Sequence, residues 1–178
     1  MLIERLFKKI DMRILIGIIA IVLAGLFFFK WFIIVFLFIA ALIVSFVIGK
    51  SNMRSIGIEL VAFTTIITGF LYGATAGIII GLVLIIFHLV ISGFFGIYIL
   101  WTIPEYSFIG YLAAAMSTQP ISSVGIILVL GINIFSTMIS FALFRGNVIK
   151  HLPWVLTNII FNVILFMFGA PLLVNFLR

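Results

Sequence analysis

From Ile56 to Ile91 the chain runs for 36 residues with Glu59 as its only acid and His88 as its only basic group. As one helix this stretch would extend about 54 Å at 1.5 Å per residue, far beyond the roughly 30 Å hydrocarbon core of a bilayer. It must therefore break. Within it, GFLYGATAGIIIG places a glycine at every fourth position, Gly69, Gly73, Gly77 and Gly81. Tyr72-Gly73 is the expected corner, because tyrosine favours a membrane interface and glycine tolerates a reversal. Gly69 then lets the incoming helix approach its partner, and Gly77 and Gly81 form a smooth ridge on the outgoing one.

The rest of the chain obeys the same arithmetic. Hydrophobic residues make up 66% of the 178 and charged residues 8%, where soluble domains carry about a quarter charged. Apolar runs are continuous, without the period-two alternation of an outer-membrane barrel, so the expected fold is all-α: a polytopic membrane helical bundle. Residues 1–13 read as an amphipathic basic lead-in and residues 14–178 as a single transmembrane domain. Ile14–Phe29 and Phe32–Ile48 read as separate runs with a turn near Lys30. Ser92–Glu105 reads as an interfacial loop, Tyr106–Met116 as half a span, and Ser117-Thr118-Gln119-Pro120 as a break. Ile121–Phe144 is a full helix, Arg145–Pro153 a polar loop, and Trp154 to about Leu177 a last helix kinked at Pro171. The count is six or seven spans.

Seven spans with the N-terminus in the cytoplasm of a cell (plasma) membrane would put eight of the ten basic residues inside, leaving Lys30 and Arg178 outside. Six spans place both termini on one side. The basic residues are too few, and too little interleaved with exposed aromatics, for nucleic acid. No small-residue cleavage site follows the basic segment. With no cysteine, thiol catalysis, disulfides and thiolate-bound metal are excluded. No nucleophile elbow, phosphate-cradling loop, zinc-helix motif or paired carboxylates occurs, so no enzymatic activity, cofactor or metal centre is expected.

Ionisable and amide side chains inside a bilayer are expensive and mark candidate sites. Glu59 and His88 sit toward the same end of neighbouring helices and could form an ion or proton site; Glu59 could equally pair with Arg54, and His88 could lie at headgroup level. Asn158 and Asn162 lie one turn apart on one face, where Asn133 could meet them as interhelical glue or as a ligand-facing stripe. Tyr98, Trp101, Glu105 and Tyr106 could cover a flat solute or form an interfacial aromatic belt.

The run ELVAFTTIITGFLYGATAGIIIGLV, the segment IPEYSFIGYLAAA and the ending LPWVLTNIIFNVILFMFGAPLL resemble the substrate-binding S component of energy-coupling factor transporters, over roughly residues 56–177. MreD-like membrane proteins resemble the same segments. The first resemblance implies a non-enzymatic subunit that binds a small solute such as a vitamin. It would dock on a membrane coupling subunit carrying two ATPases. In that family docking uses an Ala-x3-Ala surface, which Ala20 and Ala24 match; Ala41-x3-Ser45-x3-Gly49 is a looser version. Gly77 and Gly81 are further docking candidates. The resemblance implies six spans, against the seven favoured by charge. The second resemblance implies a scaffold or accessory subunit of a larger membrane complex, and Glu59 with His88 would suit a small ion or proton channel.

Overall fold

The computed structural model describes residues 12–51, 56–93, 96–144 and 148–177. Every regular element among them is helical. The helices are α1 (Met12–Lys50), α2 (Val61–Tyr72), α3 (Ala74–Ile91), α4 (Ile99–Ala115), α5 (Ile121–Phe144) and α6 (Val148–Ile164). A π-helical segment, Leu165–Gly169, then leads into α7 (Ala170–Leu177). Four stretches are long and apolar enough to cross a membrane: Trp31–Lys50, Ala74–Ile91, Ile121–Leu143 and Leu152–Leu177. The amphipathic lead-in expected over residues 1–13 lies almost wholly outside the described residues.

The chain forms two compact units, one through Val35 and one from Phe36 onward. In the first, Ile14, Ile16, Ile21 and Phe28 are exposed apolar side chains along α1. No turn occurs near Lys30, contrary to expectation, since the helix continues through Lys30-Trp31. A lone lysine among helix-compatible apolar residues supplies neither the proline nor the glycine that a sharp break requires.

The second unit contains the expected corner. Helix α2 ends at Tyr72 and α3 begins at Ala74, with Gly73 between them at φ 91° and ψ 174°, a backbone region essentially restricted to glycine. The two helices return on each other so closely that a Cβ on Gly77 would lie 2.6 Å from the Gly69 Cα. It would also lie 2.6 Å from the Gly110 carbonyl oxygen, on α4. Three backbones thus cross at Gly69, Gly77 and Gly110. One turn further along, Gly81 meets the backbone of Tyr106, so α3 and α4 run antiparallel. The ridge is therefore filled by α4 within the chain. Gly77 and Gly81 are buried there, which corrects their assignment to partner docking.

The looser small-residue row is also used internally. Ala41, Ser45 and Gly49 are buried, and a Cβ on Gly49 would lie 2.6 Å from the Ser92 Cα at the end of α3. Of the remaining docking pair, Ala20 is exposed, and the side chain of Ala24 is outside the described set.

Two expected loops are shorter than the sequence suggests. Helix α4 starts at Ile99, with Pro104 in its second turn, and α6 starts at Val148, with Pro153 in its second turn. So near a helix start, proline's fixed φ suits the helix and the carbonyl four residues back is free to tilt away. At Pro171, where a kink is expected, the helix carries a π turn just before the proline, and the Ala170 N–H bonds to the Leu165 carbonyl five residues back. Widening the ladder just before a proline relieves the contact its ring would make. This segment carries Phe166, wholly buried, whose ring occupies the space a side chain on Gly125 of α5 would need and lies 5.0 Å from the Phe63 ring.

Around this core the polarity is inverted relative to a water-soluble bundle. Large apolar side chains such as Ile79, Phe87, Ile127, Phe135, Leu156 and Ile160 are exposed, while Thr64, Thr65, Thr68, Asn133, Asn158 and Asn162 are buried.

Candidate functional site

The buried polar side chains gather toward the end of the bundle where α1 and α3 finish. Between α1 and α2 the chain is not helical over residues 57–59, and this stretch lies against α6. Gly57 makes that possible: a Cβ there would lie 2.2 Å from the Trp154 carbonyl oxygen. Unwound backbone needs partners when water is absent, and α6 supplies them. The Gly57 N–H donates to Thr157 Oγ1 at 2.7 Å, and Asn158 Nδ2 donates to the Gly57 carbonyl at 2.9 Å.

Glu59 follows directly, 2% exposed, and its carboxylate accepts from four donors. Two are the first free N–H groups of α2, from Val61 at 2.5 Å and Ala62 at 3.2 Å. The others are the Tyr106 hydroxyl from α4 and Asn158 Nδ2 from α6, each at 3.3 Å. A carboxylate at the positive end of a helix is favourably placed, and four donors match its acceptor capacity. Glu59 thus closes the start of α2 and ties it to α4 and α6.

Asn133 joins from α5. Its Nδ2 donates to Asn158 Oδ1 and to the Val129 carbonyl, both at 2.9 Å. Asn162 donates to the Asn158 carbonyl at 3.1 Å. The three asparagines therefore meet as their spacing suggests, with Asn158 at the centre. Glu105 of α4 stands beside this group, and its Oε2 accepts the Ser136 hydroxyl of α5 at 2.6 Å.

Saturation ends there. Glu105 Oε1, Asn133 Oδ1 and Asn162 Oδ1 are buried without a hydrogen-bond partner, as are the Thr64 and Thr65 hydroxyls. Buried polar atoms are normally paired, so acceptors left open within a densely bonded cluster need a reason.

His88 and Glu59 do not form a joint site. Although α2 and α3 bring them to similar levels, His88 Nδ1 is hydrogen-bonded to Ser45 Oγ of α1 at 2.8 Å, and Glu59 faces α4 and α6. Ser45 in turn donates to the Ala41 carbonyl, and Ser92 donates to the His88 carbonyl. Tyr98 and Trp101 contact each other edge to face, with ring centres 5.4 Å apart, at the start of α4; Trp101 is buried and Tyr98 partly exposed. Among the described residues, no three His, Asp or Glu side chains converge on a metal-sized space. A cavity of about 250 Å³ lies toward the other end, lined by residues including Met116, Thr118, Gln119 and Ser123.

Residue-type reasoning missed Gly57, Thr157 and Ser136, and read Ser45 only as part of a small-residue docking row. Ser136 carries a usable signal, since it follows Asn133 by one turn on the same face. Thr157 and Gly57 carry none, because their contact joins positions 100 apart.

Comparison with known protein families, curated proteins and solved structures returns no match.

Proposed function

We propose that this chain is a solute-binding membrane subunit of an importer, with its ligand held where α4, α5 and α6 meet, at Glu105, Tyr106, Asn133, Asn158 and Asn162. The observation that carries this reading is the set of buried acceptors, Glu105 Oε1, Asn133 Oδ1 and Asn162 Oδ1, left open beside a saturated network. Pure helix glue would pair them; a ligand with hydrogen-bond donors would complete them. Tyr98 and Trp101, at the entrance to α4, would cover one side. Burial of the glycine ridge inside the chain favours a self-contained binding unit.

In this reading the protein is a multi-pass component of the plasma membrane with six spans, counting α2 and α4 with the four longer helices. It is not an enzyme and takes no cofactor. Its partner is an energy-coupling factor type membrane subunit with ATPases, and the exposed face around Ala20 is the docking candidate. The basic cluster at Arg5, Lys8, Lys9 and Arg13 supports a cytoplasmic N-terminus, although six spans would then place Lys50, Arg54, Arg145 and Lys150 on the outer side.

The rival is an MreD-like scaffold, favoured by one specific observation: Glu59, with four donors, needs no ligand to explain it. Gentle purification from native membranes, followed by mass spectrometry of bound small molecules and partners, separates the two. A co-purifying solute or ATPase-bearing complex supports the importer. Recovery with structural membrane proteins and neither of these overturns it.

A further inference from the structure

We propose that Glu105, Ser136 and Asn133 bind a singly charged cation between α4 and α5. This rests on the reading of that region as a ligand site and specifies the charge of what occupies it.

The two carboxylates of the cluster differ in what they lack. Glu59 is surrounded by donors, whereas Glu105, 7% exposed, has one neutral hydroxyl on Oε2 and nothing on Oε1. An ionised carboxylate in apolar surroundings is costly unless its charge is matched and its lone pairs are used. Within the described residues no cationic side chain supplies that match.

A second open acceptor lies one turn from Ser136 on α5. Asn133 precedes Ser136 by three residues, a rise of about 4.5 Å along the same face of α5, and Ser136 holds Glu105 against that face. Asn133 directs its nitrogen toward Val129 and Asn158, which leaves Oδ1 open. The oxygens these three residues offer are two from the carboxylate, one hydroxyl and one amide oxygen, of which Glu105 Oε1 and Asn133 Oδ1 have no partner.

That composition selects the ligand. Oxygen-only sites suit hard cations and ammonium groups, not the transition metals that prefer imidazole or thiolate. Calcium and magnesium need more carboxylate or more oxygens than are gathered here. One unmatched negative charge asks for one positive charge, as an alkali ion or a primary ammonium group on a solute.

The test uses the purified full-length chain in nanodiscs, with thermal unfolding followed in sodium, potassium, methylammonium or N-methylglucamine chloride at equal ionic strength. Direct binding of radioactive sodium is measured in parallel. A saturable rise in midpoint with one of the first three ions, absent with bulky N-methylglucamine, is expected. Glu105→Gln should reduce apparent affinity at least tenfold, and Ser136→Ala should reduce it less. A sodium or potassium response assigns the site to an ion, and a response confined to methylammonium assigns it to an amine-bearing solute.

Identical unfolding of the native chain in all four salts, with no sodium bound, overturns the proposal without recourse to a variant. So does a response that Glu105→Gln leaves intact. If a neutral solute or an ATPase-bearing partner co-purifies in that event, the importer reading survives and only the cation is lost.

Discussion

Replacing Gly77 by alanine tests the crossing of α2, α3 and α4 most directly. The added methyl would sit 2.6 Å from two backbone atoms, the Gly110 oxygen and the Gly69 Cα, about 0.8 Å inside ordinary contact distance. Backbone cannot rotate away as a side-chain tip can, so the helices must separate. Overpacking of this kind costs about 1–3 kcal/mol, and alanine returns up to about 1 kcal/mol through its helix propensity. With three backbones displaced, the upper end of the range applies and the net loss is about 2 kcal/mol. Gly131 of α5 is the matched control, because a Cβ there meets nothing within 4 Å. Gly131→Ala should leave stability unchanged or raise it by up to about 1 kcal/mol. The two variants should therefore differ by about 3 kcal/mol, roughly a hundredfold in the unfolding constant. Reversible unfolding in mixed detergent–SDS micelles, read by tryptophan fluorescence, measures this. Gly110→Ala should behave like Gly77→Ala. The double variant should cost less than the sum, since one separation relieves both clashes. Equal stability of Gly77→Ala and Gly131→Ala would refute the three-way crossing.

Phe166→Ala should cost about 3–5 kcal/mol in the same assay, because the ring is wholly buried against Gly125 and Phe63. Asn158→Leu should cost about 2–4 kcal/mol, leaving the Gly57 carbonyl and a Glu59 oxygen short of a donor. Asn162→Leu, which removes only bonds to Asn158, should cost about 1 kcal/mol, and an equal loss in the two would argue against Asn158 as the hub. Cysteines introduced at exposed Gly96 and Gln119, which bracket α4, should label from opposite faces of sealed membranes; labelling from one face would remove α4 from the span count.

The features legible in the sequence are those set by local chemistry. Gly73 was readable as a corner because glycine is the residue that tolerates the required backbone within an overlong run; length alone does not force a break, since α1 continues for 39 residues. Ile121 and Phe144 were readable as the ends of α5 because Ser117–Pro120 precedes it and a charged segment follows. Asn133 and Asn158 could be paired because buried amides seek each other and both lie at matching depths. The turn expected at Lys30 and the late starts assigned to α4 and α6 failed for one reason: a charge or a proline was read as a terminator where the helix could absorb it. Glu59 was recognised as unusual; of the partners expected for it, His88 turns to Ser45 instead, and Arg54 lies outside the described residues. The place of Glu59 just ahead of the first free N–H groups of an apolar helix pointed to a cap, whereas its bonds to Tyr106 and Asn158 depend on tertiary packing that no local pattern encodes.

The clasp between Gly57 and Asn158 also orders events during synthesis. Residues 57–59 emerge about 100 positions before the side chains that complete their bonding, and α2, at 12 residues, covers only about 18 Å of the roughly 30 Å core, so its crossing depends on the unwound residues before it. The front of α2 thus stays unfinished until α6 has left the ribosome and swung back against it. A nascent chain halted before Thr157 would lack the groups that bind Gly57, whereas the crossing of Gly69, Gly77 and Gly110 needs nothing made after α4, so the tight knot comes early and the clasp late.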